Sequence, residues 1–178
     1  MYPGKKQDIY AGSYVFIPHN DLFNLQSFTL CAYIYPTTPY VDVEGVEVGT
    51  QAIISKWDEE NQTGYGIFIN EHGELCLKIG HGKGKVEEFS SGKPLYRKIW
   101  YKVGASFDAS TGKVSVFQEP YVTHTNSGHG MSMLHPKEDT SGEYHGSSLM
   151  GGPLENDCPI LLAASTQKSN SGRKLTGG

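Results

Sequence analysis

Four histidines, His124, His129, His135 and His145, fall in one stretch together with Glu138, Asp139 and Glu143. Imidazole and carboxylate groups together can hold zinc or a similar ion. The spacings match no zinc-ligand frame, and no CxxC supplies a second half, so histidines on a polar loop are the default reading. His124, His129 and His135 stand as the candidate ligands if an ion is bound. Asp42, Glu44 and Glu47 are a second acidic group. Paired carboxylates can cleave a glycosidic bond, but these three follow a proline-rich stop and read as a solvated loop. The Gly80–Lys85 run lacks the Ser/Thr and the helix that a phosphate cradle needs. No Gly-x-Ser-x-Gly elbow is present, and Ser127-Gly128-His129-Gly130 reads as loop composition. Asn61-Gln62-Thr63 is formally a glycosylation acceptor, and Gly64 after it favours a turn.

Aromatic rings offer another kind of chemistry. Sugars stack on such rings and hydrogen-bond to neighbouring amides and carboxylates. Tyr33, Tyr35, Trp57 and Trp100 are candidate rings for a concave face, with Asp58 or Asn61 at its rim. Each of these residues equally suits a core or a protein contact.

The elements that would position these groups are strands. Gln51–Trp57, Tyr65–Asn70 and Glu74–Ile79 follow one another, the last two joined across Glu71-His72-Gly73. Tyr65, Ile67 and Ile69 share one face, and so do Leu75, Leu77 and Ile79, the period of half-buried antiparallel strands. In Ser27–Tyr35 the residues Phe28, Leu30, Ala32 and Ile34 are expected to face the core, with Thr29, Cys31, Tyr33 and Tyr35 on the open side. Ile99–Phe107 and Lys113–Phe117 form a hairpin around Asp108–Gly112. Short strands are expected at Asp8–Tyr10, Gly12–Pro18, Val86–Ser90 and Ile160–Ala164, and little regular structure between Thr123 and Pro159. No segment shows a helical period.

Length and composition agree with one β-sandwich domain. The chain has 178 residues, with 22 glycines and 11 tyrosines, enough for a two-layer core with many turns. A net charge of −4 with scattered Lys and Arg argues against nucleic-acid binding. No apolar run reaches bilayer length, so no membrane partner is expected. The start lacks an apolar leader core. Cys31, Cys76 and Cys158 show no paired spacing and read as reduced, mostly buried thiols of a cytoplasmic protein.

The run "GSYVFIP … SFTLCAYIYPT … QAIISKWDEENQTGYGIFINEHGELCLKIG … IWYKVGASFDASTGKVSVF … ILLAAS" resembles the laminin G-like, concanavalin A-like jelly-roll family over about residues 8–165. The resemblance implies an all-β antiparallel two-sheet jelly-roll sandwich, a single domain over 1–178 with a polar loop at 123–159 and a polar tail at 166–178. "YPTTP" and "IISKWD" are most similar to the laminin G-like region of the bacterial N,N-dimethylformamidase large-subunit family. In that family the iron centre is expected elsewhere in the polypeptide, and none of its ligands maps onto this chain. Related domains hold calcium near the sandwich rim; here no Asp/Asn cluster is dense enough to place one. No cofactor is therefore expected in this chain, with calcium and zinc left open.

Family members usually end on one further strand, which the sequence lacks. The chain then reads as a piece of a longer protein, and its N-terminal strand as an edge open to another copy or to the absent segment. The resulting expectation is a non-catalytic accessory module of an amide hydrolase, packed on other domains or subunits. A glycan-binding lectin-like domain is the alternative, and a glycosidase the third possibility.

Overall fold

The computed structural model describes residues 13–40, 49–121, 137–167 and 174–177. Two antiparallel sheets stack on each other. The first has six strands in the order β1 (Val15–Ile17), β10 (Ile160–Leu162), β3 (Gln51–Asp58), β4 (Thr63–Ile69), β5 (Glu74–Gly82) and β6 (Lys85–Pro94). The second has four, in the order β2 (Phe28–Ile34), β7 (Tyr101–Asp108), β8 (Lys113–Pro120) and β9 (Gly142–Ser147). A separate two-stranded ribbon of β11 (Ala164–Gln167) and β12 (Lys174–Gly177) lies beside β3, whose Ser55 hydroxyl donates to Ala164 O at 2.7 Å.

The alternation read from the sequence decides what lies between the sheets. Tyr65, Ile67 and Ile69 of β4 meet Leu75, Leu77 and Ile79 of β5 in one cluster with Tyr101, Val103, Ala105 and Phe107 of β7. Phe28 stacks on Tyr65 with ring centroids 4.3 Å apart, joining β2 to the opposite sheet. Along β2 the residues facing the seam alternate with the exposed Thr29, Cys31 and Tyr33, as the period of two requires. Burial pushes the Tyr65 hydroxyl up to about 12, and it donates to the Phe23 carbonyl at 2.8 Å.

Turn chemistry fixes the registers. Asn70 Oδ1 accepts from the His72 and Glu74 amides, each at 3.0 Å, which closes the β4–β5 turn. Lys83 and Gly84, with φ of 55° and 79°, make the two-residue link between β5 and β6. Asp108 anchors the β7–β8 turn through the Ser110 hydroxyl and amide and the Thr111 hydroxyl.

One buried amide ties the sheets together. Gln118 of β8 accepts from the Leu75 amide at 3.3 Å and the Ser91 hydroxyl at 2.7 Å, and donates to Lys93 O at 2.9 Å and Thr140 O at 3.1 Å. The β5–β6 pairing shifts register between Glu74 and Cys76, and the Leu75 amide turns to Gln118 there.

Three expectations change. The stretch between Thr123 and Pro159 is not irregular throughout: it holds a helical turn, α1 (Lys137–Thr140), and β9, which pairs with β8 from Gln118↔Gly142 to Lys113↔Ser147. Its period is hidden because Gly142 and Gly146 carry no side chain and only Tyr144 leans inward, onto Phe89. The apolar run Ile160–Ala164 is not one strand; Ala163 takes φ 59° and breaks it into β10 and β11. The polar tail holds a strand beyond the last one expected, since β12 pairs with β11 from Ala164↔Gly177 to Gln167↔Lys174. Three or four residues are too few for alternation to show. The Asp8–Tyr10 strand lies outside the described residues.

The expected edge is present. Among the described strands β1 pairs with β10 alone, and Tyr14, Val15, Phe16 and Ile17 are all exposed.

Candidate functional site

The candidate residues divide between two places. Tyr33 and Tyr35 point outward from β2, and the β2–β7 register brings Trp100 beside them. Tyr35 and Trp100 have ring centroids 5.4 Å apart at 44°. Tyr121, which sequence reading did not single out, meets Tyr33 at 5.4 Å and 81°. The Tyr121 amide donates to Trp100 O at 2.7 Å, so the two ring pairs form one corner on the open face of the four-stranded sheet. All four rings are exposed, Trp100 at 47 %.

Trp57 does not join them. It lies on β3 of the other sheet, 4 % exposed, packed with Ala52, Phe68 and Cys76. Its indole donates to Glu59 Oε2 at 2.6 Å. A ring buried in this way has no free face for a ligand, and its place beside Tyr33 and Tyr35 as a stacking residue is corrected. Asp58 and Asn61 stay with Trp57, at the β3–β4 turn. Asp58 is buried and accepts from the Glu60 and Asn61 amides and the Asn61 side chain.

The second place is a polar rim centred on Lys56, which alternation alone would not mark as buried. The β3–β4 register shifts between Ala52 and Ile54, and the run from Ser55 to Asp58 is buried throughout. Lys56 Nζ donates to Asn156 O at 2.9 Å, Asn156 Oδ1 at 3.0 Å and Cys158 O at 3.0 Å. Burial lowers its ammonium below the ordinary lysine value, against the opposing pull of Cys158, Asp157, Asp21 and Glu155. Asn156 Nδ2 answers by donating to Thr63 O at 2.9 Å. Gly64, at φ 99°, lets the strand pass, since a Cβ there would overlap the Lys56 carbonyl and the Asn156 amide. The sequence sign of this rim is a lysine between Ile54 and Trp57 in a strand that reads as half-buried.

Ligand atoms of Asp58, Asp157 and Cys158 lie within 4.8 Å of one another. The Lys56 ammonium, bonded to the Cys158 carbonyl, places a positive charge against that group. Burial pushes the Cys76 thiol well up, which makes it a core group and not a nucleophile. The cleft bordered by Asn24, Leu25, Gly64, Tyr65 and Pro153 has room for little more than one water molecule.

Ser148, Glu87 and His81 come together as well. His81 reaches Gly152 O through Nδ1 at 3.1 Å and Glu87 Oε2 through Nε2 at 3.0 Å. The Ser148 hydroxyl donates to the Glu87 carboxylate and not to the imidazole, so the three do not form the serine–histidine–acid order of a catalytic triad. Leu149 N adds a third bond to Glu87 at 3.0 Å. Burial alone would raise the Glu87 carboxyl; the Ser148, Leu149 and His81 bonds outweigh it and hold it below the usual range. The cluster is a clasp that holds residues 148–152 on the β5–β6 hairpin.

His124, His129 and His135, with Asp42, Glu44 and Glu47, lie outside the described residues. His145 is exposed on β9, between Glu143 Oε1 at 2.6 Å and the Ser115 hydroxyl at 3.1 Å. No described helix is long and apolar enough to cross a membrane.

Comparison with known proteins follows the same lines. The chain is 28 % identical over 178 residues to an N,N-dimethylformamidase beta subunit of Alcaligenes sp, covering 98 % of this chain and 20 % of that protein. It is 33 % identical over 132 residues to an N,N-dimethylformamidase beta subunit of Paracoccus aminophilus, covering 73 % of this chain and 16 % of that one. The chain thus spans about a fifth of the length of these curated relatives. Among solved structures, a heptameric SAP-like pentraxin from Limulus polyphemus superposes with a TM-score of 0.44 at 16 % identity, over 99 % of this chain and 70 % of that one. The model of the concanavalin A-like lectin/glucanases superfamily matches residues 10–141. With two stacked antiparallel sheets and a family match over most of its length, the chain belongs to the concanavalin A-like lectin/glucanases superfamily.

Proposed function

We propose that the chain is a non-catalytic accessory module of an N,N-dimethylformamidase-like amide hydrolase, packed against other domains or subunits of that enzyme. The observation that carries this reading is the similarity along 98 % of the chain to a dimethylformamidase beta subunit about five times as long. The polar clusters support it. The Lys56 rim and the Glu87 clasp spend their hydrogen bonds on holding backbone, which suits a scaffold. The test is co-purification from the native source together with turnover. The module should travel with a larger amidase polypeptide, and alone it should release no dimethylamine from N,N-dimethylformamide. Hydrolysis by the isolated chain would overturn the proposal.

A second reading, glycan binding, is favoured by the exposed rings of Tyr33, Tyr35, Trp100 and Tyr121. It predicts saturable changes in Trp100 emission on titration with simple sugars.

A further inference from the structure

We infer that the clasp around Glu87 is a proton-operated latch: residues 148–152 are fully held on the β5–β6 hairpin only while His81 carries a proton on both ring nitrogens. The inference stands on the hydrogen bonds of this cluster and does not rest on the accessory-module reading.

The partners of the ring decide its proton count. Nδ1 meets the Gly152 carbonyl at 3.1 Å, and Nε2 meets Glu87 Oε2 at 3.0 Å. A carbonyl oxygen only accepts, and so does an ionised carboxylate. Glu87 is kept ionised by the Ser148 hydroxyl, which donates to Oε2, and by the Leu149 amide, which donates to Oε1 at 3.0 Å. Both ring nitrogens must therefore donate, which takes the doubly protonated imidazole. A ring with one proton would turn a lone pair onto either the carbonyl or the carboxylate.

The surroundings leave the ring this one carboxylate. On β4, Thr63 stands opposite His81 and carries no charge. The segment from Ser148 to Leu154 has no ionisable side chain. Lys83 and Lys85 at the hairpin link are exposed, and so is Lys113 of β8, opposite Ser147. The His81 and Glu87 side chains are 8 % and 16 % exposed, so water does not readily replace a bond lost between them.

The latch grips the middle of a span whose ends are fixed separately. Ser148 N donates to Gly112 O at 2.8 Å, and Leu154 N donates to Gly80 O at 2.9 Å. Between these points the chain crosses from β9 of the four-stranded sheet towards β10 of the six-stranded one. The span carries Leu149, 94 % exposed. Losing one ring proton loosens Gly152 and with it this apolar tip, while both ends stay in place.

The test is nuclear magnetic resonance on the whole chain from about pH 5 to pH 8, the span in which histidine side chains exchange a proton. In the latched state both ring nitrogens of His81 should carry hydrogen. As His81 titrates, the Gly152 amide shift should move with the same midpoint. Protection of the Leu149 amide against hydrogen exchange should fall about tenfold, the effect of losing one hydrogen bond to a charged group. Glu87→Gln is the discriminating variant. Its amide can donate to Nε2 of a ring whose single proton sits on Nδ1, so Gly152 stays bound and both changes should vanish. The proton count of the parent's ring needs no substitution, so the test holds even where the variant does not fold. His145, exposed between Glu143 and Ser115, is the internal control, and its titration should leave Gly152 unmoved. A Gly152 amide that stays still while His81 titrates would overturn the latch. So would a singly protonated ring in the latched state, or a Glu87→Gln variant that keeps the parent's transition.

Discussion

Replacing Gln118 by leucine tests whether one amide joins the sheets. The side chain is 1 % exposed and uses both donors and its oxygen twice, on Leu75, Ser91, Lys93 and Thr140. A net value of about 1 kcal/mol per hydrogen bond gives a loss of about 4 kcal/mol. A leucine of similar length regains about 1 kcal/mol by apolar burial, so about 3 kcal/mol is the expected deficit. With an m-value of about 2 kcal/mol/M, the urea midpoint should fall by about 1.5 M with the slope unchanged. Gln118→Glu should also destabilise, because it turns an oxygen onto the Lys93 and Thr140 carbonyls where the amide donated. Unlike the leucine variant, it should recover part of the loss when acid protonates the carboxyl. Equilibrium unfolding followed by Trp57 emission reads all three proteins. A leucine variant within about 0.5 kcal/mol of the parent, the range of an ordinary surface change, would refute the claim that these bonds hold the layers together.

Gly64→Ala should cost more than about 2 kcal/mol, since φ 99° and the Lys56 carbonyl both oppose a Cβ; calorimetry reads it, and a neutral result would deny the tight crossing at the rim. Glu87 has a folded-state value held below its ordinary 4.5, so its contribution is present above about pH 4.5 and is lost as pH falls through the lower folded value. The stability gap between the parent and Glu87→Gln should therefore close in acid, and a gap that widened there would contradict the clasp. Phe16→Lys on the exposed edge strand should leave the unfolding midpoint within about 0.5 kcal/mol and reduce light scattering of concentrated samples; unchanged scattering would show that β1 is not the adhesive edge.

The sheets could be read from the sequence because burial on one face leaves a period of two. Phe28, Leu30, Ala32 and Ile34 advertise their seam, and so do Leu75, Leu77 and Ile79. The same logic fails where no face is apolar. β9 carries two glycines and exposed Glu143 and His145, so nothing alternates visibly although the strand is paired throughout. The aromatic corner was half legible. Tyr33 and Tyr35 show their side by parity with Leu30 and Ala32, and Trp100 follows from the β2–β7 register. Tyr121 lies beyond the expected end of the Lys113–Phe117 strand, and only the longer β8 register carries it there. Trp57 was misplaced because the irregularity after Ala52 upsets parity along β3 and puts consecutive residues out of solvent. The partners of Lys56 were out of reach, as Asn156 and Cys158 lie about a hundred residues further on.

The pairing of β1 with β10 has a consequence for how the chain is made. Val15 faces Leu162, about 145 residues later. On a ribosome adding about 5–20 residues each second, the opening strand waits roughly 7–30 s for its mate. The meander from β3 to β6 can close behind it meanwhile, because each of its strands neighbours the next in sequence. Among the described strands, the Val-Phe-Ile edge thus waits longest for its mate, an unpaired edge of the kind that a nascent chain must keep from other chains.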